Sequence, residues 1–272
     1  MKKKVLAVLV IVIAGGLLSA KLMLKPKSEN PEAQKLIDQA WALVKADMTI
    51  ANIDKAIKLL EKANQLDPNN HDILVELADY YWQRGDLMPE ETKEERKARE
   101  RYFIKGKEYA EQALKIKESA GAKYWYSANL ASSYEFKSVF AQASIFPTLK
   151  KNVDWILERD PDYFYGGAAR FWSKVVAKVP TVVMRMVGQD PKEIEEVLQT
   201  AIDHFPNYLL NYVYKAMFCW KLGKKDEALK ALDYALKQDP NIFPEEVAKN
   251  RLAQRTARKL WKKYTGKEYP ER

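Results

Sequence analysis

A chain of 272 residues with 47% hydrophobic and 31% charged side chains has the apolar content for a packed core, which excludes a disordered or fibrous protein. Its net charge of +9 sits at the ends: residues 1–30 hold six lysines and one glutamate, residues 251–272 eight basic and two acidic side chains, and the stretch between is slightly acidic. A nucleic-acid binder carries its basic excess across a body face, so that class is set aside, and the single cysteine, Cys219, excludes an intrachain disulfide.

Lys2, Lys3 and Lys4 precede an uncharged run from Val5 to Ala20 that Lys21 closes, the layout of a secretory signal or a short signal anchor. As a helix the run spans about 24 Å, slightly short of a bilayer core of about 30 Å, so length leaves cleavage and retention both open. The expectation is a signal peptide or membrane anchor over 1–24, a linker over 25–31, a helical repeat domain over 32–265 and a tail over 266–272. The protein would then be exported and periplasmic, tethered to the cytoplasmic membrane by its N-terminal segment.

Asn30-Pro31 opens the first helix, on which Ala33, Leu36, Ile37, Ala40, Trp41 and Val44 recur at helical spacing. A second helix carries Ala56, Leu59, Leu60 and Ala63 and stops at Asp67-Pro68. Ala56, Leu60, Ala63 and Pro68 fall on the offsets of a 34-residue tetratricopeptide unit, whose small residues let paired helices cross closely. A second unit runs through Leu74, Leu77, Ala78 and Tyr81, is interrupted by a charged stretch from Pro89 to Arg101, which reads as a solvated helix extension, and resumes at Tyr109. A third runs from Tyr124-Trp125-Tyr126 to Phe140, and Phe146-Pro147 is expected to break it. After Asp160-Pro161, Gly166-Gly167 reads as a turn with positive φ leading into a helix with Arg170, Phe171 and Trp172. Asp190-Pro191 starts the next helix. The most regular repeat follows, with Tyr212, Ala216, Cys219, Gly223, Ala228, Leu232, Ala235 and Pro240 in place, and a basic helix from Pro244 caps the array. The fold class is all-α, a tetratricopeptide-like α-solenoid of helical hairpins.

Between Tyr124 and Trp172 lie 13 of the chain's 31 aromatic residues, a density that fits either a packed core or the wall of a cavity. Arg170, in the first turn of its helix, stands at the unfavourable end of the helix dipole unless it meets an anion, a neighbouring acid or a ligand carboxylate. The candidate ligand-binding residues are Trp125, Tyr163, Tyr165, Arg170 and Trp172. His71 and His204 have no partners at zinc spacing, Cys219 sits among apolar neighbours, and no phosphate loop or nucleophile motif occurs, so neither a metal, a cofactor nor an enzymatic activity is expected.

The second half of the chain resembles the T component of TRAP-type transporters. The resemblance is carried by Asp162-Tyr163-Phe164-Tyr165-Gly166-Gly167-Ala168-Ala169-Arg170-Phe171, then Ala177-Lys178-Val179-Pro180. It continues through Gly188-Gln189-Asp190, Ala201-Ile202-Asp203-His204-Phe205-Pro206-Asn207-Tyr208-Leu209 and the Pro244–Ala253 tail. It implies a non-catalytic helical accessory of solute uptake with a cavity or pore for a small, largely apolar solute, neutral or anionic. The implied partners are a substrate-binding subunit and a membrane permease. Lys21 stands where many such proteins carry a lipoprotein cysteine, and the Gly188 turn lacks paired glycines. The alternative is a repeat scaffold that grips envelope proteins and has no small-molecule site.

Overall fold

Side-chain caps written into the sequence set the helix starts in the computed structural model, which describes residues 25–178 and 188–270. Asn30 accepts from the amides of Glu32 and Ala33 to open α1 (Pro31–Ala46), Thr49 caps α2 (Ile50–Leu66) and Asn70 caps α3 (His71–Asp86). Thr92 and Glu95 exchange hydrogen bonds in a capping box at the head of α4 (Lys93–Ile116). Ser119 opens α5 (Ala120–Ser133) and Ser138 opens α6 (Val139–Arg159). α7 (Gly167–Ala177) has no side-chain cap, whereas Asp190 caps α8 (Pro191–His204). α9 (Leu210–Lys221) and α10 (Lys225–Lys237) form a hairpin across Gly223. Two short 3-10 turns then lead into α11 (Val247–Thr265), which ends on the left-handed Gly266. Each side-chain cap satisfies amides the helix leaves unpaired and contributes about 1 kcal/mol.

Successive helices pack on their neighbours, α1 on α2, α3 on α4, α4 on α5 and α9 on α10, an all-helical arrangement consistent with a solenoid-like repeat. The first crossing is close because Ala33, Ala40, Ala56 and Ala63 are fully buried there. One core runs from α1 through the aromatic centre to α8, and a second, smaller one joins α9, α10 and α11. α11 also reaches back to α1, where Arg255 meets Asp47 at 3.4 Å.

Two elements differ from the sequence reading. The charged stretch after Pro89 does not interrupt a helix but begins one, and the 24 residues of α4 run on without a break. Pro147 lies inside α6 and does not end it. Proline removes one helical hydrogen bond, to the carbonyl of Ala143, and both residues line an open cleft, so the ring has no neighbouring helix to displace.

Among the described residues no helix is long and apolar enough to cross a membrane. This corrects the expectation of an exported, periplasmic protein tethered by a membrane anchor. The run over 1–24 on which that expectation rested, and the apolar connector Thr181–Val187, lie outside the described residues.

Candidate functional site

The densest aromatic stretch folds into a left-handed turn. Phe164, Tyr165 and Gly166 take φ of 51°, 55° and 80° in succession. For the two bulky residues this conformation costs about 1–2 kcal/mol each. Arg170 offsets it. Its guanidinium donates to the carbonyl of Tyr165 at 2.6 Å, to that of Phe164 at 2.5 Å and to Asn211 Oδ1 at 2.6 Å. Hydrogen bonds from a charged donor contribute about 1.5–3 kcal/mol each, enough to hold the strain. The guanidinium also lies 4.9 Å from the ring centres of both Phe164 and Tyr208. Gly166 is required twice over: its φ is left-handed, and a Cβ there would collide with Ala201.

Around this turn the rings interlock. Trp125 is fully buried with Tyr124 at 4.7 Å and Phe164 at 5.4 Å between ring centres, and Tyr165 packs on Tyr208 at 4.6 Å and Phe243 at 5.1 Å. Tyr163 is half-buried against Tyr124. Trp172 donates its indole N–H to Gln189 at 2.8 Å and packs on Phe146. Four of the five sequence-read positions, Trp125, Tyr163, Tyr165 and Arg170, thus converge on one packed centre, and Trp172 stands on the next face of α7.

The open space lies one helical face away. A cleft of about 700 Å³ runs between α5, α6 and α7. Its rings are Trp82, Tyr124, Tyr134, Phe146, Phe171 and Tyr214, and its aliphatic wall comes from α6 through Val139, Ile145, Pro147 and Leu149. Trp82 is fixed by donating to Ser132 at 3.0 Å. None of the five sequence-read residues lines this cleft. The residues that do share one helical face: Tyr124, Ala128 and Ala131 on α5, and Phe171, Lys174, Val175 and Lys178 along α7. The i, i+3, i+4, i+7 spacing was visible in the sequence, but α7 is buried over most of its circumference, so spacing does not say which face borders the opening.

One end of the cleft carries paired charges. Lys178 pairs with Glu135 at 2.5 Å, and Arg99 stands 4.0 Å from the same carboxylate while also pairing with Glu90. Burial alone would raise the Glu135 carboxyl, but Lys178, Lys174 and Arg99 outweigh it and hold it below its usual range, so it is ionised. Lys174 has Asp86 at 3.8 Å and lies 5.6 Å from the Trp82 ring. Burial would depress its ammonium, yet Tyr214, Asp86 and Glu135 outweigh that and raise it, so Lys174 remains charged. The arrangement can hold an apolar body on its rings and an anionic group on its ammoniums.

A second grouping was not legible from spacing. Glu195, Cys219 and Glu227 come from three helices, with the thiol sulfur 3.9 Å from Glu195 Oε1 and 4.0 Å from Glu227 Oε2, close enough for a shared ion. Lys224 already sits 2.7 Å from Glu195, supplying the positive charge a cation would bring. Burial, with Glu195 and Glu227, pushes the thiol up to about 11, so it stays protonated. The histidines are engaged separately, His71 with Asp72 and Ser119, His204 with Asp162.

Stacked helical hairpins around a ring-lined cleft make a helical scaffold with a surface consistent with accommodating a ligand. A family model described as TRAP transporter T-component matches residues 117–266, more than half of the chain and the whole of the cleft except Trp82, and the chain belongs to that family. A model described as Regulator of microtubule dynamics protein 1-3 matches residues 36–170, overlapping the first over 117–170. No curated protein matches the chain. Membership in a transporter-component family is consistent with a role that is not catalytic.

Proposed function

We propose that the protein is a non-catalytic accessory of a TRAP-type transporter whose cleft between α5, α6 and α7 receives a small, largely apolar solute bearing an anionic group. The observation that carries this reading is the pairing of about 700 Å³ of ring-lined space with Lys174 and Lys178 at one end. Rings and aliphatic side chains supply the affinity through apolar burial, and the ammoniums supply orientation. The hairpins are tetratricopeptide units, and the partners are a substrate-binding subunit, which delivers the solute, and a permease. Trp125, Tyr163, Tyr165, Arg170 and Trp172 serve the site from behind, fixing the backs of α5 and α7 so that Tyr124 and Phe171 hold their positions.

The test uses anilinonaphthalenesulfonate, an apolar anionic fluorophore. The full chain binds it with a fluorescence rise, and Ala128→Trp, which fills the cleft from α5, weakens binding at least tenfold while the circular-dichroism spectrum stays that of the parent. Unchanged affinity in that variant sinks the cleft as the site and favours a scaffold that grips proteins only.

A further inference from the structure

Away from the cleft, α3 turns two acidic positions toward the start of α11 and away from water. Glu76 and Asp79 lie one helical turn apart on α3 and are 5% and 2% exposed, and Glu246, from the 3-10 turn before α11, is 8% exposed. Three carboxyls therefore share one small space of about 60 Å³ that also touches Trp41, Met48 and Lys249. Lys249 is the cation among them. It pairs with Glu246 at 3.0 Å and lies 5.2 Å from the Phe164 ring. Three ionised carboxylates against one buried ammonium would leave two negative charges to be met out of water by neutral hydrogen-bond donors, a costly arrangement.

The groups facing this space come from every element around it. α3 supplies Glu76, Asp79 and Tyr80, with Gln83 donating to Asp79 Oδ1 at 3.1 Å. α1 supplies Trp41 and Lys45, and the C-terminal side supplies Glu245, Glu246 and Lys249. The left-handed turn supplies Tyr165, which donates to Glu246 Oε1 at 2.9 Å, and Tyr163, on whose hydroxyl Asp79 and Glu76 act electrostatically. Lys45 is exposed and its charge is screened by solvent. The seam thus joins the first hairpins to the last helix through groups whose charges do not balance unless one or two of them carry protons.

We infer that Glu76, Asp79, Glu246 and Lys249 form a proton-controlled clasp, closed while the two α3 carboxyls are protonated and loosened as they ionise. Burial is the main cause that raises Glu76, to about 7, with the Glu246 charge adding to it against the pull of Tyr80, Lys249 and Trp41. Burial followed by the Glu76 charge holds Asp79 well above the usual carboxylate range. Desolvation would lower Lys249, but Glu246, Asp79 and Glu76 raise it, so the ammonium persists while the carboxyls titrate. The sign follows. The closed seam keeps protons that the open chain has released, so its stability is fully present below the ordinary carboxylate pKa of about 4 and is lost as pH rises through about 7. Tyr165 carries the effect toward the turn that supports α7, because its hydroxyl is tied to the clasp and its carbonyl to Arg170.

The experiment is hydrogen exchange on the full chain, reading the α11 amides of residues 250–254, the first with helical partners, at pH about 5 and about 7 after correction for intrinsic rates. The opening constant should rise by about tenfold per pH unit for each proton released. Glu76→Gln with Asp79→Asn copies the protonated pair without its titration, and its opening constant should stay flat over the same range. A wild-type opening constant that does not change with pH overturns the clasp, and so does a double variant with the wild-type slope. If the double variant fails to fold, Glu76→Gln alone decides by infrared spectroscopy. The carbonyl stretch of a protonated carboxyl at pH about 6 should weaken in that variant, and an undiminished band places the proton elsewhere and overturns the proposal.

Discussion

Two ring-rich regions share α5 and α7 back to back, and only one of them is filled. On the side of the left-handed turn, Trp125, Phe164, Tyr165, Tyr208 and Arg170 interlock with every guanidinium contact made inside the protein. On the other side Tyr124, Phe171, Phe146 and Tyr214 leave about 700 Å³ unfilled. The composition of the two is alike, so aromatic content does not make a cavity. What separates them is the backbone: the turn folds its rings onto a buried cation, whereas α6 stands off from α5 and α7 along a face carrying Ala128, Ala131 and Ala143.

The sharpest way to break the filled side is Arg170→Met. It leaves the carbonyls of Phe164 and Tyr165 and the amide of Asn211 without their donor, and the two strained residues without their compensation. Urea denaturation should show a loss of about 3–5 kcal/mol, in the range for breaking a buried charged network. A loss below about 1 kcal/mol would mean the turn holds itself. Gly166→Ala comes next, at about 2–4 kcal/mol, because the added methyl group both meets Ala201 and must adopt a left-handed φ. Neither change should alter which face of α7 borders the cleft.

Much of this architecture was legible before the coordinates. The caps Asn30 and Asp190 and the small residues Ala33 and Ala56 announce the hairpins, since each serves a local backbone need that a sequence states directly. The positive φ at Gly166 was legible for the same reason, but that at Phe164 and Tyr165 was not, since it depends on Arg170 reaching back across a turn and on Asn211 from α9. Three of the sequence-read residues lie one position from rings that line the cleft. Arg170 and Trp172 flank Phe171, and Trp125 adjoins Tyr124, yet the cleft belongs to 124 and 171. On a helix buried over most of its circumference, side-chain type marks the ring-rich zone, while the facing helix decides which ring borders space. Lys174 and Lys178 escaped notice because an exposed lysine and a cleft lysine look alike until α6 and Glu135 are in place.

The open side is sharpened by Lys174→Met. The substitution keeps the stem and removes the charge, so apolar contact survives and anion orientation is lost. Binding of anilinonaphthalenesulfonate should weaken about tenfold, or about 1.4 kcal/mol, while an uncharged naphthalene probe changes by less than about twofold. Equal losses for both probes would show that Lys174 acts by shape and not by charge.

The smallest effect is expected at the cleft's rim. Phe140 is 89% exposed and Val139 79% exposed, large apolar side chains that folding leaves in water. A ring with so little area removed from solvent contributes almost nothing to folding, since hydrophobic stabilisation scales with area buried. Phe140→Ser should therefore shift the unfolding free energy by less than about 0.5 kcal/mol, against the about 3–5 kcal/mol expected of buried Phe→Ala changes. The filled turn and the open cleft then bracket the molecule's response: a ring costs stability when removed only where its neighbours close around it. A loss above about 1 kcal/mol at Phe140 would show that the rim is covered in solution, and the cleft would have to be counted as part of the core.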